Sequence, residues 1–276
     1  MEIQLLEMEE TKGSFILKNS SPAMANALRR TMLSDIPKMA IDKVEFHLGP
    51  IMVDEREYES VTPLFDEIVA HRLGMVPVPT DHQLFSFQEG CFCGGEGCPS
   101  CTIMYSLNKI GPCTVLSGDM IPLGNPKLMV KDQFIPIVEL TDGQAVLIYA
   151  TAIMGTAKKH AKWQAAFGVG YKYLPKVSID EKKAGDSYAL KCMNVCPKGV
   201  FEVKNGKLKL KDQMNCNMCR ECETVSRGSV SVDADDTNFY FKYETDGSLT
   251  AKQVLDKAME ILSKQSEAAF AGIDAI

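Results

Sequence analysis

Nine of the ten cysteines in this 276-residue chain fall into two groups. Cys91, Cys93, Cys98 and Cys101 have the spacing C-x-C-x4-C-x2-C, with Gly94, Gly95 and Gly97 between the halves. Four thiolates on so short a loop can surround one ion tetrahedrally, and the glycines let the backbone fold tightly around it. A closed four-sulfur shell with no open position is the preference of structural Zn2+, so zinc is the expected occupant. Reduced thiols and two local disulfides are the alternatives. A reducing compartment, where cysteine clusters serve metals more than disulfides, favours the metal.

The second group is Cys192, Cys196, Cys216, Cys219 and Cys222, while Cys113 stands apart. Its triplet has the spacing C-x2-C-x2-C, and Cys196-Pro197 lies upstream. This pattern resembles a bacterial two-cluster ferredoxin, in which the fourth cysteine of each run ligates the other cluster. The resemblance implies that Cys196, Cys216, Cys219 and Cys222 hold one [4Fe-4S] cluster, and it leaves a [3Fe-4S] form open. At the second cluster's places stand Asp186, Ala189, Cys192 and Ser226, so that cluster is lost and Cys192 is a spare thiol. Zinc on the same four cysteines is the alternative. Between the runs, the apolar residues of 198–210 alternate around Asn205-Gly206, a hairpin signal that brings Cys196 back beside the triplet.

Around these loops lies an ordinary globular composition: 45% hydrophobic, 24% charged, and a mean hydropathy of -0.07. The length suits about two domains. No apolar run is long enough to span a bilayer, and the start, with Glu2, Glu7, Glu9 and Glu10, does not read as a secretion signal; a cytoplasmic location is expected. A net charge of -6 argues against a protein whose main task is gripping phosphate backbones. The segment 156–228 is the exception, with 15 Lys and Arg against 7 Asp and Glu. It reads as a separate module. Lys158, Lys159, Lys162, Lys172 and Lys176 are its candidates for touching nucleic acid or an acidic partner, against the plainer reading of solvated surface.

Helices and strands must position all this. Ser20-Ser21-Pro22 opens a helix carrying Met24, Ala27, Leu28, Thr31 and Met32, closed by Pro37. Thr62-Pro63 announces a second, with Phe65, Ile68, Val69 and Leu73, ending at Gly74. Thr250-x-x-Gln253 is a capping box before a third, whose apolar face is Ala251, Val254, Leu255, Ala258, Ile261 and Leu262. Strands are predicted at 13–18, 40–48, 134–140, 145–152 and 238–244.

The combination of segments resembles a known family. The run 22–37, PAMANALRRTMLSDIP, is similar to the first helix of the α-like assembly subunits of cellular RNA polymerases. The segment 243–250, YETDGSLT, resembles the strand-to-helix corner of the same family. The segment 160–164, HAKWQ, and the 91–101 loop look like the archaeal and eukaryotic branch, and the ferredoxin-like insertion points to the D-type archaeal member. The resemblance implies an α+β fold with a split α-like dimerisation domain at 1–42 and 229–276. A mixed α/β insert at 43–165 and a ferredoxin-like iron-sulfur insertion at 166–228 complete it. It further implies a non-catalytic scaffold that heterodimerises with subunit L and carries subunits N and P and the two large catalytic subunits. Nucleic acid would be met only through that complex, and no membrane is involved. Met24, Leu28, Met32, Val254, Leu255, Ala258 and Leu262 are the expected partner interface. The cluster would stabilise its module or regulate assembly by its redox state.

Two rival functions are weaker. A ferredoxin-type electron carrier needs little more than the cluster domain, and here that module is a fraction of the chain. Gly168-Val-Gly170 lacks a third glycine and runs into Pro175, so it is no dinucleotide fingerprint. A nucleotidyltransferase could use Asp233, Asp235 and Asp236, but 232–236 reads better as a solvated loop. His47, His71, His82 and His160 are too scattered for a dyad, and Trp163 reads as core or interface.

Overall fold

The computed structural model describes residues 1–274. The chain runs β1 (Glu2–Met8), β2 (Lys12–Lys18), α1 (Pro22–Ser34), β3 (Lys38–Phe46), β4 (Pro50–Val53), β5 (Arg56–Glu59) and α2 (Asp66–Met75). It continues through β6 (Thr102–Ile110), β7 (Cys113–Leu116), β8 (Met120–Pro122), β9 (Pro136–Leu140), β10 (Ala145–Gly155) and β11 (Ala166–Ile179). Last come α3 (Ser187–Val195), β12 (Phe201–Lys204), β13 (Lys207–Leu210), α4 (Glu221–Ser226), β14 (Val230–Thr245) and α5 (Ala251–Asp274). The fold is α+β, with sheets of order β1-β2-β14-β11 and β3-β10-β6-β8 and three two-stranded ribbons.

The chain divides into two compact units: 1–6, 14–26 and 170–242 form one, and 7–13, 27–169 and 243–276 the other. This differs from the three-part organisation expected above. The cysteine-rich module at 170–228 groups with the N-terminal strands because β11 and β14 are long and carry it on their ends. The C-terminal helix instead groups with 27–169.

In the first unit, alternate aromatic residues of neighbouring strands stack in a row. Phe15 lies flat on Phe241 with centroids 4.8 Å apart, and Tyr171 and Tyr173 close on Phe241 and Phe239 at 5.2 and 5.3 Å. Such cross-strand pairs set the register of the sheet. A second apolar cluster holds Val177, Ala189, Val200, Phe201 and Leu208 together with Cys192, Cys216 and Cys222. The β12–β13 turn is the one anticipated: Asn205 and Gly206 both have positive φ, +53° and +72°, as a type I′ turn requires.

In the second unit, β3, β10 and β6 pair antiparallel, and their inner face packs on Val69 and Leu73 of α2. Phe65 and Ile68 of the predicted stripe are exposed instead, because α2 begins only at Asp66 and buries one narrow edge. Gly13 is demanded by a close approach, since a Cβ there would lie 2.4 Å from the Tyr243 ring. Trp163 is core, as expected: its indole sits against Gly155 and donates to the Ile153 carbonyl at 3.1 Å.

Three predicted features need correction. The segment 232–236 is not a loop but part of β14, with Asp235 buried. Strands β1, β4, β5, β6, β7, β8 and β11 went unpredicted, being short or lacking a clean alternation of apolar and polar residues. The C-terminal helix runs to Asp274, well beyond the apolar face that announces it.

Candidate functional site

The 91–101 loop brings its four cysteines together. Their sulfurs all lie within 4.8 Å of one another, with Cys91–Cys98 at 3.5 Å, Cys93–Cys101 at 3.7 Å and Cys98–Cys101 at 4.0 Å. A tetrahedral shell with Zn–S bonds of about 2.3 Å separates its sulfurs by about 3.8 Å, so one zinc ion fits the cage. Gly94, Gly95 and Gly97 all have positive φ, which is why this loop is glycine-rich. The backbone N–H of Cys98 is the main reason that the Cys93 thiol is held down to about 5; N–H groups of Gly97 and Gly95 and the Cys91 thiol add to it against a smaller burial effect. Burial, followed by the neighbouring Cys93 and Cys91 sulfurs, pushes Cys101 up to about 12. The loop thus offers the Cys93 thiolate at neutral pH, and a metal would displace the proton that burial holds on Cys101.

The second group is arranged differently. Cys196 caps the C-terminus of α3, its N–H bonded to the Cys192 carbonyl at 3.1 Å. Cys216 and Cys222 are buried, Cys196 is half-buried and Cys219 is exposed. Met218 and Arg220 take positive φ on either side of Cys219, so the triplet curls, and the Met218 N–H points to the Cys216 sulfur at 3.3 Å. The Lys172 ammonium ties the loop by donating to the carbonyls of Met214 and Cys216 at 2.5 and 3.2 Å. Burial pushes the Cys222 thiol up to about 11, with the nearby sulfurs of Cys192, Cys216 and Cys196 adding to it. Among the described residues, only the 91–101 cysteines pack closely enough to enclose a single ion. A four-iron cube, with each thiolate on its own iron, holds its ligands wider apart than one ion does. Cys192 is fully buried, and its thiol donates to the Cys222 carbonyl at 3.4 Å, a partner that cysteine spacing alone does not reveal.

The helical faces expected to meet a partner require a correction. Leu28, Met32, Val254, Leu255 and Ala258 are buried by the chain itself. They seat their helices on the chain's own core, and only Met24, 39% exposed, and the half-buried Leu262 remain accessible. Leu262 lines a recess with Ala27, Arg30, Thr31 and Gln265, where Gln265 donates to Asp35 at 3.2 Å and Lys158 pairs with the same carboxylate at 2.9 Å. The far ends of the sequence do meet there. Beyond Leu262 every side chain of α5 from Ser263 to Ile273 is exposed, including Phe270 at 67% and Ile273 at 65%. The apolar stripe along the first half of the helix concealed this second, bare half.

The chain is an α+β protein ending in a long helix whose second half is uncovered, and residues 14–266 match the family described as the RNA polymerase Rpb3/Rpb11 dimerisation domain, to which the chain belongs. It is 44% identical over 263 residues to the DNA-directed RNA polymerase subunit Rpo3 of Thermoplasma volcanium, covering 95% of each chain. It is similar also to the subunits of the same name from Picrophilus torridus, at 42% over 95% of this chain and 96% of that one, and Archaeoglobus fulgidus, at 39% over 96% and 95%. These names correct the D-type assignment suggested by the motifs: the relatives carry the name Rpo3, and the letter D is set aside. No helix among the described residues is long and apolar enough to cross a membrane.

Proposed function

We propose that this chain is a non-catalytic assembly subunit of DNA-directed RNA polymerase, one half of a heterodimer on which the large catalytic subunits are built. The observation that carries the reading is the bare half of α5. Eleven successive residues form helix with exposed side chains, tied back to the chain at Gln265, and an isolated helix of this length is marginal in water. An L-type small subunit would cover Phe270 and Ile273, next to the half-buried Leu262 on the same helix. Subunits N and P and the two large subunits would join afterwards.

The metal sites serve that scaffold. Cys91, Cys93, Cys98 and Cys101 would hold Zn2+, which closes a loop that otherwise has little apolar cover. Cys196, Cys216, Cys219 and Cys222 would hold an iron-sulfur cluster; the C-x2-C-x2-C triplet with Cys196-Pro197 upstream, and the burial of Cys216 and Cys222 in the module's small core, support the reading. The cluster would add folding free energy to a module too small to gain much from its core.

Co-expression with an L-type subunit, followed by anaerobic size exclusion and metal analysis, tests the proposal. The expected result is a stable one-to-one complex containing zinc and iron. A chain that stays monomeric at micromolar concentration beside that subunit would overturn it.

A further inference from the structure

The outer face of the β12–β13 ribbon carries a row of positive charge that the fold does not need. Its register places Lys204 opposite Lys207 and Glu202 opposite Lys209, while Phe201, Leu208 and Leu210 turn to the other, buried side. Lys207 and Lys209 therefore project from one face of the ribbon about 6.8 Å apart, and the exposed Lys211 follows directly after the strand's end. Within 198–211 there are five lysines and one acidic residue, Glu202, and that carboxylate is taken by Lys204 at 2.6 Å. Asp212, next in sequence, faces away, accepting from the N–H of Met214 at 3.0 Å and the amide of Asn215 at 2.7 Å. Glu181 lines the concavity of about 570 Å³ beside Lys207 and Lys209 without pairing with either.

Like charges placed directly across a ribbon are destabilising, so Lys204 against Lys207, with Lys209 and Lys211 beyond, is an arrangement that works against the hairpin. A bound polyanion would reverse the sign of that contribution. We propose that this strip docks the sugar-phosphate backbone of nucleic acid, without reading its sequence. The chemistry favours that occupant over an acidic polypeptide. The strip offers only ammonium groups, with no aromatic platform for bases and no exposed apolar anchor on the same face, and lysine acts as a point charge. Binding by such groups draws on counterion release, which is largest for the polyanion of highest linear charge density. The net charge of -6 confines the contact to this module. The assignment does not depend on the assembly reading.

The test uses the full chain, reconstituted with iron, and a duplex DNA of mixed sequence over a series of salt concentrations. Three variants are compared: Lys207→Gln/Lys209→Gln/Lys211→Gln; the same positions changed to Arg; and Lys127→Gln/Lys242→Gln/Lys252→Gln, which removes equal charge from exposed lysines elsewhere. The expected result is that the first variant weakens binding roughly tenfold or more and lowers the log-log salt slope by about 2.7, three phosphate contacts' worth. The Arg variant and the distant variant keep the slope of the parent. The proposal is overturned if the distant variant loses as much, if the parent shows no salt-sensitive binding, or if polyglutamate of equal charge competes as well as DNA. It is also overturned if the Gln variant self-associates with its DNA binding intact, since the lysines would then serve only to deter pairing at a free strand edge.

Discussion

Lys38 and Asp246 form an ion pair inside the second unit, their side chains only 4% and 15% exposed. Lys38 begins β3, and Asp246 stands in the turn that leads into α5. The Lys38 ammonium also donates to the Gln164 carbonyl at 3.3 Å, and the second carboxylate oxygen of Asp246 accepts the Ser248 N–H at 3.0 Å. The pair therefore fixes how the chain enters its terminal helix. Removing one member leaves a buried charge alone, which costs about 3–5 kcal/mol, whereas replacing both with apolar residues of similar volume is near neutral. Urea unfolding should show Asp246→Ala destabilised by that amount and Lys38→Met/Asp246→Leu largely restored. Equal stability of all three proteins would show the pair to be idle.

Cys93 and Cys101 belong to one cage but differ in readiness to ionise. The thiolate is the reactive species, so in metal-free protein at neutral pH iodoacetamide should label Cys93 well before the buried Cys101. Peptide mass mapping after brief exposure reads the order directly. Bound zinc should protect all four cysteines, and labelling unaffected by zinc would argue against the cage.

Asp235 owes its burial in β14 to its partners. Burial alone would raise its pKa, but the Thr237 hydroxyl at 2.7 Å, the Asn238 amide at 2.8 Å, the Thr237 N–H at 3.0 Å and Lys176 at 3.3 Å outweigh it, holding the carboxyl well below the usual range. Because the folded value is depressed, the resulting stability is present above the unfolded value of about 3.9 and is lost as the pH falls through the folded one. Asp235→Ala should cost about 1–3 kcal/mol at pH 7 by stranding the Thr237 and Asn238 donors. Acid titration monitored by circular dichroism should then show a smaller loss of stability below about pH 4 for the variant than for the parent.

Truncation after Gln265 keeps the hydrogen bond to Asp35 and removes only helix whose side chains are exposed. The melting temperature of the isolated chain should hardly change, while pairing with an L-type subunit should fail in size exclusion. Phe270→Ser alone should weaken pairing by about 2 kcal/mol, or roughly thirtyfold, if the ring is an interface anchor. Pairing at full strength by the truncated chain would place the interface elsewhere.

Cys219→Ser should reduce iron content and loosen the module around it. Hydrogen exchange should quicken in 186–228 and remain unchanged in 27–169, because the two segments lie in different compact units. Faster exchange throughout would mean that the cluster supports the whole chain.

Some of this was legible from residues alone, for physical reasons. Capping is local chemistry: Thr250 and Gln253 exchange hydrogen bonds at 2.9 and 3.2 Å, as their spacing requires. The Asn205-Gly206 turn and the glycine-bearing cysteine loop are equally local. The reach of β14 was hidden, since Asp233, Asp235, Asp236 and Thr237 look like loop residues until Lys176 of β11 arrives beside Asp235, which Thr237 and Asn238 of the same strand also satisfy. The partner face was misplaced for a related reason. An apolar stripe such as Val254, Leu255 and Ala258 states that something covers it, and periodicity cannot say whether that is the chain's own core or another molecule. Ile273 continues the line of Leu255 five turns on and Phe270 stands to one side of it, both in an alanine-rich stretch that attracts little notice.

The bare end of α5 also bears on how many copies of this polypeptide a cell can keep. A molecule made in excess of its mate displays greasy, loosely held helix, the sort of feature that chaperones retain and proteases enter first. On the proposed pairing, surplus would be marked for removal by its own geometry, and supply of the two halves would be balanced without a dedicated sensor.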